Sequence, residues 1–368
     1  MIDEALSPLE LDIRRRIQVA GPMPIAEYMA ICLLDPQHGY YMTRDPFGIA
    51  GDFITAPEVS QMFGELIGLW MAATWRQMES PENVRIIELG PGRGTMMNDA
   101  LRAAQVMPAF RAAAVADMVE VSPVLRGAQE RTLEGLTVPV MWHRELQDVP
   151  PGPAIIVANE FFDALPINQA VKKDDGWHER QVAIGEDDKF AFTIAPDPIP
   201  YFDRLLPPHV RVAHEDAILE WRSDNMAMEV AKRVMNGKGA ALVIDYGHAE
   251  SAIGETLQAI GGHAFTDTLT APGRIDLTAH VDFQAIARAA ESMGAVAHGP
   301  IVQSELLRRL GIQTRAAALK AKAGRDSGAA IDAALARLIG FGRTGMGDLF
   351  KALAIAHPKL GKPPGFDQ

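Results

Sequence analysis

The residues of this chain best suited to chemistry lie in one run, Glu88-Leu89-Gly90-Pro91-Gly92-Arg93-Gly94-Thr95. Glycines at alternate positions let a backbone turn tightly after a strand. They bring main-chain N–H groups and a helix N-terminus close to a ligand with no Cβ in the way. A bare glycine turn also arises for conformational reasons alone, so its flanks decide its meaning. Here the apolar run Val84 to Leu89 enters the turn and a helical stretch leaves it, which predicts strand, glycine turn, helix.

The fingerprint for a dinucleotide is G-x-G-x-x-G with an acidic residue roughly 20 positions further on. In this chain the third glycine arrives one position early, Thr95 stands where it would be, and the next acidic strand end is Glu120. Both departures count against NAD. They suit S-adenosylmethionine, which has no pyrophosphate but needs room for a methionine moiety and a carboxylate for its ribose hydroxyls. Glu120, in Val119-Glu120-Val121-Ser122-Pro123, is the candidate ribose acceptor, and the alternative is an ordinary solvated strand-end carboxylate.

A second cluster, Asn159-Glu160-Phe161-Phe162-Asp163, closes a later apolar strand. In a doubly wound sheet ligands gather beyond the carboxyl ends of the strands, so Asn159 and Glu160 are expected to face the crevice of Gly90 and Glu120. A carboxylate there can orient a guanidinium by paired hydrogen bonds, and the Asn159 carbonyl can hold an N–H. The competing reading is a capped turn with the two phenylalanines in the core. Asp245, ending Ile244-Asp245, is expected at the same rim, while Asp276, His280 and Asp282 invite a metal or a triad. No zinc-type spacing supports a metal, and no serine lies on a G-x-S-x-G elbow.

The elements that must position these groups follow from periodicity. Short apolar strands are predicted at Val84 to Leu89, Ala116 to Val121, Val138 to Trp142, Ala154 to Ala158 and Ala240 to Asp245, with helices between them. Such runs imply a parallel sheet covered on both faces. Helices are predicted at Ile25 to Leu34, Glu58 to Gln77, Asp282 to Met293 and Thr314 to Ile339. Residues 35–57, with prolines, glycines and aromatics, form a long loop of the kind that is often functional. Between Ile167 and Trp221 the pattern changes to alternation at Gln169 to Val171, Glu179 to Ile184 and Lys189 to Ile194, an antiparallel insertion. The tail from His357 is expected to be loosely held.

Composition narrows the classes further. With 368 residues and 48% hydrophobic content the chain can bury a large core. Its 35 Lys and Arg against 47 Asp and Glu, net −12, argue against a nucleic-acid partner. The single cysteine, Cys32, makes no internal disulfide. The longest uncharged apolar run, around Leu66 to Trp75, is far below the roughly 20 residues needed to span a bilayer. With no secretory signal visible after Met1, the expected location is the cytoplasm.

Taken together, GYY, FGIAGDFITAPEVSQMFGE, IIELGPGRGT, VEVSP, NEFFDALPI, DYGH and DLTAHVDF, running through to Phe283, resemble the MidA-type family of class I S-adenosylmethionine-dependent methyltransferases. That family includes a mitochondrial complex I assembly-factor methyltransferase. The resemblance implies an α/β, Rossmann-like fold with a seven-stranded, mostly parallel sheet. An N-terminal helical and lid segment over 1–80 would precede a methyltransferase domain over 81–368, with the insertion at about 167–221. It implies S-adenosyl-L-methionine as cofactor, held by Glu88, Gly90, Gly92, Gly94 and Glu120, with Gly48, Gly51, Asp52 and Thr55 closing over the site. Asn159 and Glu160 would hold the target nitrogen, and no metal is implied. The implied activity is arginine methylation of a protein, a respiratory NADH dehydrogenase subunit. A small-molecule methyltransferase and a non-enzymatic assembly chaperone remain the alternatives.

Overall fold

A computed structural model describes residues 6–46, 55–261 and 264–366. The chain divides into two compact units, each built from three segments. The second unit, 47–162, 224–249 and 283–368, carries the glycine turn. Its strands are β1 (Val84–Leu89), β2 (Ala114–Val119), β3 (Val140–His143), β4 (Ala154–Asn159), β5 (Ala240–His248), β6 (Val296–Val302) and β7 (Phe350–Ala356). Every residue of β4 is buried, as are five of the six in β1, because helices cover both faces of the sheet. Across the sheet the order is β6-β7-β5-β4-β1-β2-β3, and only β7 runs antiparallel to its neighbours β5 and β6. This is the class I methyltransferase arrangement expected from the sequence.

Register aligns the strand ends that matter. Leu89 stands beside both Val119 and Ala158, and Asn159 stands beside Ile244. The residues that follow β1, β2, β4 and β5 therefore emerge along one edge of the sheet.

The helix α1 (Gln61–Gln77) packs against α2 (Thr95–Ala103) at close range. A Cβ on Gly68 would come within 2.4 Å of the Ala100 carbonyl oxygen, so only glycine allows the approach. The sequence predicts one helix from Glu58, but the helix starts later. Ser60 is extended (φ −166°, ψ 140°), its hydroxyl caps α1 by accepting from the Met62 N–H, and a separate turn of helix spans Ala56–Val59. The helix predicted over Thr314 to Ile339 likewise divides into Ile312–Lys320 and Arg325–Ile339, with Gly324 extended at the start of the second.

Two features were not read from sequence. Periodicity marks five of the seven strands, and β6 and β7 enter only through the seven-strand count that the family resemblance implies; Gly299-Pro300 interrupts β6, and its pairing with β7 shifts register there. The tail is not loose: Pro363, Gly365 and Phe366 are buried. Its carbonyls are also held, Pro364 O by the Trp70 indole N–H and Gly365 O by the Arg309 guanidinium.

The first unit contains 1–46, 163–223 and 250–282. Its helices Pro8–Ala20 and Ile25–Leu34 accompany a five-stranded antiparallel sheet of Met23–Pro24, Ile167–Lys173, Gly176–Ile184, Phe190–Pro198 and Ile218–Arg222. The three segments predicted to alternate fall in these strands, apart from Lys189, which stands just before Phe190–Pro198. Trp177, Phe202, Leu206 and Leu219 pack as this unit's own small core.

Candidate active site

Within the second unit the glycine turn opens an edge cleft lined by Thr55, Pro57, Glu58, Glu88, Gly90, Pro91, Gly92, Arg93, Thr95, Met96, Asn159 and Glu160. Gly90, Gly92 and Gly94 take φ of 60°, 53° and 83°, the left-handed region that a Cβ penalises. At Gly90 space is also closed, because a Cβ would stand 2.7 Å from Cδ2 of Phe161. Gly94 is the residue before α2 and faces Gln129 and Leu133 rather than the cleft.

Glu160 follows β4 with φ 50°, a left-handed conformation that is uncommon outside glycine and asparagine. Its main chain is fixed by an N–H bond to Ile244 O at 2.9 Å, and its Oε1 accepts from Ala56 N at 3.0 Å and from Asn159 Nδ2 at 3.1 Å. Beneath it, buried Asp245 accepts from the N–H groups of Phe161 and Phe162 at 3.2 and 2.9 Å. The sequence placed Asp245 at the ligand rim; instead it props the turn that presents Glu160.

Glu120 lies just beyond β2. It accepts from Ser122 N at 2.7 Å and Gln129 Nε2 at 3.2 Å, and burial raises its carboxyl to about 7 despite those donors. It stands outside the lining of the cleft, linked to the glycine turn by Gln129. That amide is fully buried, donates to Gly92 O at 2.8 Å as well as to Glu120, and accepts from the Trp142 indole at 3.0 Å. Sequence reasoning missed Gln129, Glu58 and the Ala56 N–H. The available signal for the first was a polar residue four positions after buried Leu125, on the core face of the helix Pro123–Thr132.

Glu88, at the end of β1, is 2% exposed, and among the described residues its Oε2 has no hydrogen-bond partner. Burial alone raises its carboxyl to about 8. A group neutral in the fold below about pH 8 but ionised in the unfolded chain above about 4.3 binds more protons when folded, so stability falls as pH rises between those values. Urea midpoints measured from pH 5 to 8 should decline, and Glu88→Gln should flatten the slope by up to about 1.4 kcal/mol per pH unit. An identical slope in the variant would mean that Glu88 is ionised in the fold.

Gly48, Gly51 and Asp52 lie outside the described residues. In the first unit, Asp163 O accepts from Ala279 N and from Arg222, whose guanidinium also reaches Leu165, Ala279 and His280 carbonyls. Asp276 accepts from the Tyr41 hydroxyl at 3.1 Å. These contacts give the DLTAH segment a role in joining chain segments. Among the described residues no three His, Cys, Asp or Glu side chains gather as a metal site.

An orphaned buried carboxylate oxygen, a half-buried carboxylate beside the glycine turn and a helix N-terminus fit a ligand bearing hydroxyl and ammonium donors and a carboxylate. S-adenosylmethionine has all of these. The fold and this edge together define a class I methyltransferase.

Residues 66–301 match a family described as "Putative S-adenosyl-L-methionine-dependent methyltransferase", and the chain belongs to that family. It is 38% identical over 345 residues to the Drosophila melanogaster protein arginine methyltransferase NDUFAF7 homolog, mitochondrial, covering 86% of this chain and 77% of that one. To the human protein arginine methyltransferase NDUFAF7, mitochondrial, it is 36% identical over 355 residues, covering 88% and 78%. A solved Burkholderia thailandensis protein bound to S-adenosyl-homocysteine superposes with a TM-score of 0.85 at 27% identity, covering 97% and 93%. The protein is an S-adenosylmethionine-dependent methyltransferase. The cytoplasmic location expected from the sequence is corrected: these curated relatives are mitochondrial proteins, and nothing observed on this chain places it in the cytoplasm. Among the described residues no helix is long and apolar enough to cross a membrane.

Proposed function

We propose that this methyltransferase acts on the guanidinium of an arginine in a protein, and that Glu160 and Asn159 hold the target nitrogen. The observation that carries the reading is Glu160 itself, held in a left-handed backbone conformation at the cleft with Oε1 anchored by Ala56 N and Asn159 Nδ2. A backbone so constrained persists only where its surroundings over-determine it, and such residues cluster at functional sites. The cofactor supplies an electrophilic methyl group. Glu88, Gly90, Gly92, Glu120 and Thr55 are assigned to binding it, Gly94 to shaping the turn through its left-handed conformation, and Gly51 and Asp52 join them by the family resemblance alone.

Methyl transfer from a sulfonium asks the protein for alignment and water exclusion more than for acid–base chemistry. Arginine is protonated at neutral pH, so a carboxylate localises its charge and aims one nitrogen. The matched relatives named as protein arginine methyltransferases support this substrate class. The family resemblance points further, to a subunit of the respiratory NADH dehydrogenase during assembly.

The test is to incubate the purified chain with methyl-labelled S-adenosylmethionine and separately purified subunits of that enzyme, then locate the label by mass spectrometry. Methylarginine in one subunit is the expected result. Label on lysine, or only on small molecules added in parallel, would overturn the assignment.

A further inference from the structure

We infer that Glu58 is the residue that recognises the α-ammonium group of the cofactor's methionine moiety, an inference resting on the assignment of this cleft to S-adenosylmethionine. Glu58 sits in the short Ala56–Val59 turn, where the extended Ser60 interrupts what would otherwise be one helix. That break presents its side chain to the cleft. Its Oε1 accepts from Thr95 Oγ1 at 2.7 Å, so the carboxylate is fixed beside the first residue of α2.

An α-amino acid needs opposite charges side by side. The N-terminus of α2 supplies N–H donors and a positive dipole end for the carboxylate, and Arg93 is among the residues lining the cleft. Glu58 supplies the negative partner for the ammonium at the adjoining position. The other two carboxylates at the cleft are committed differently. Glu88 is buried at the C-terminal end of β1, and Glu160 is anchored by Ala56 N and Asn159 Nδ2 near the proposed acceptor. Glu120 lies outside the cleft lining at the end of β2, where it is assigned to the ribose. Gln129 joins Glu120 to Gly92 O, so a ligand held at Glu120 would lie beside the glycine turn that precedes α2.

The experiment compares two ligands by calorimetry. S-adenosylhomocysteine carries the amino acid; 5′-methylthioadenosine keeps the thioether and nucleoside but lacks it. Glu58→Gln retains an acceptor for Thr95 while removing the charge, so folding is preserved, and thermal melting checks this. The variant should bind S-adenosylhomocysteine roughly 10- to 100-fold more weakly, the range for a lost hydrogen bond to a charged group, with methylthioadenosine affinity unchanged. Equal losses for both ligands would make Glu58 a structural prop, and no loss for either would remove it from the site; both overturn the inference. If the native chain bound neither ligand, the cofactor assignment of the cleft would fail before the role of Glu58 was reached.

Discussion

Glu160→Gln should retain S-adenosylhomocysteine affinity within a few-fold while methyl transfer falls by about 100-fold or more, the scale of losing alignment of a reacting nitrogen. The substitution is nearly isosteric. Its amide oxygen can still accept from Ala56 N and Asn159 Nδ2, so the constrained turn at φ 50° should survive. What it removes is the charge that localises a guanidinium and directs one of its nitrogens toward the methyl group. Calorimetry and single-turnover methylation read the two quantities separately. A variant that binds stoichiometrically and turns over at the native rate would end the role assigned to Glu160. Weakened cofactor binding with an unchanged rate at saturation would move this residue from the acceptor to the cofactor.

Gly90→Val acts on the other half of the cleft. Holding a β-branched residue at φ 60° costs on the order of 1–2 kcal/mol, and forcing extra atoms into a closed space typically adds about 1–3 kcal/mol. The space is closed here because the first added carbon already meets the Phe161 ring at 2.7 Å. We expect unfolding in urea to show a loss of about 2–4 kcal/mol and S-adenosylhomocysteine affinity to drop by roughly 100-fold as the turn shifts away from its ligand. A companion, Gly90→Ala with Phe161→Ala, opens the space but keeps the backbone strain, and should recover part of the stability. Native affinity in Gly90→Val would show that the turn contributes no contact to the cofactor.

These two residues illustrate how much of the site was legible beforehand. Alternating glycines after an apolar strand announce a ligand turn because glycine adopts left-handed conformations at little cost, and that constraint is local. Glu120 was legible as the acidic end of a short apolar run, and Glu88 as the acidic residue just before the glycine turn in a motif that the family resemblance marks. The Asn159-Glu160 pair was legible by analogy with strand ends in doubly wound sheets.

The rest depended on contacts distant along the chain. Periodicity read Glu58 as the first residue of a long helix, yet Ser60 breaks that helix and turns Glu58 into the cleft. Ala56 N meets Glu160 across 104 positions of sequence, and Gln129 Nε2 meets Gly92 O across 37. No local pattern encodes such pairings. Asp245 reads as another rim carboxylate until its bonds to Phe161 and Phe162 show it holding up the turn.

The parallel sheet, the glycine turn and the antiparallel insertion follow from short-range periodicity or a local backbone requirement, and the cofactor class follows from the glycine spacing together with the family resemblance. Which carboxylates line the cleft, which ones support it and which buried amide joins the end of β2 to the turn are set by contacts between distant parts of the chain. Strand register and long-range hydrogen bonds set those roles, and they exist only once the sheet has assembled.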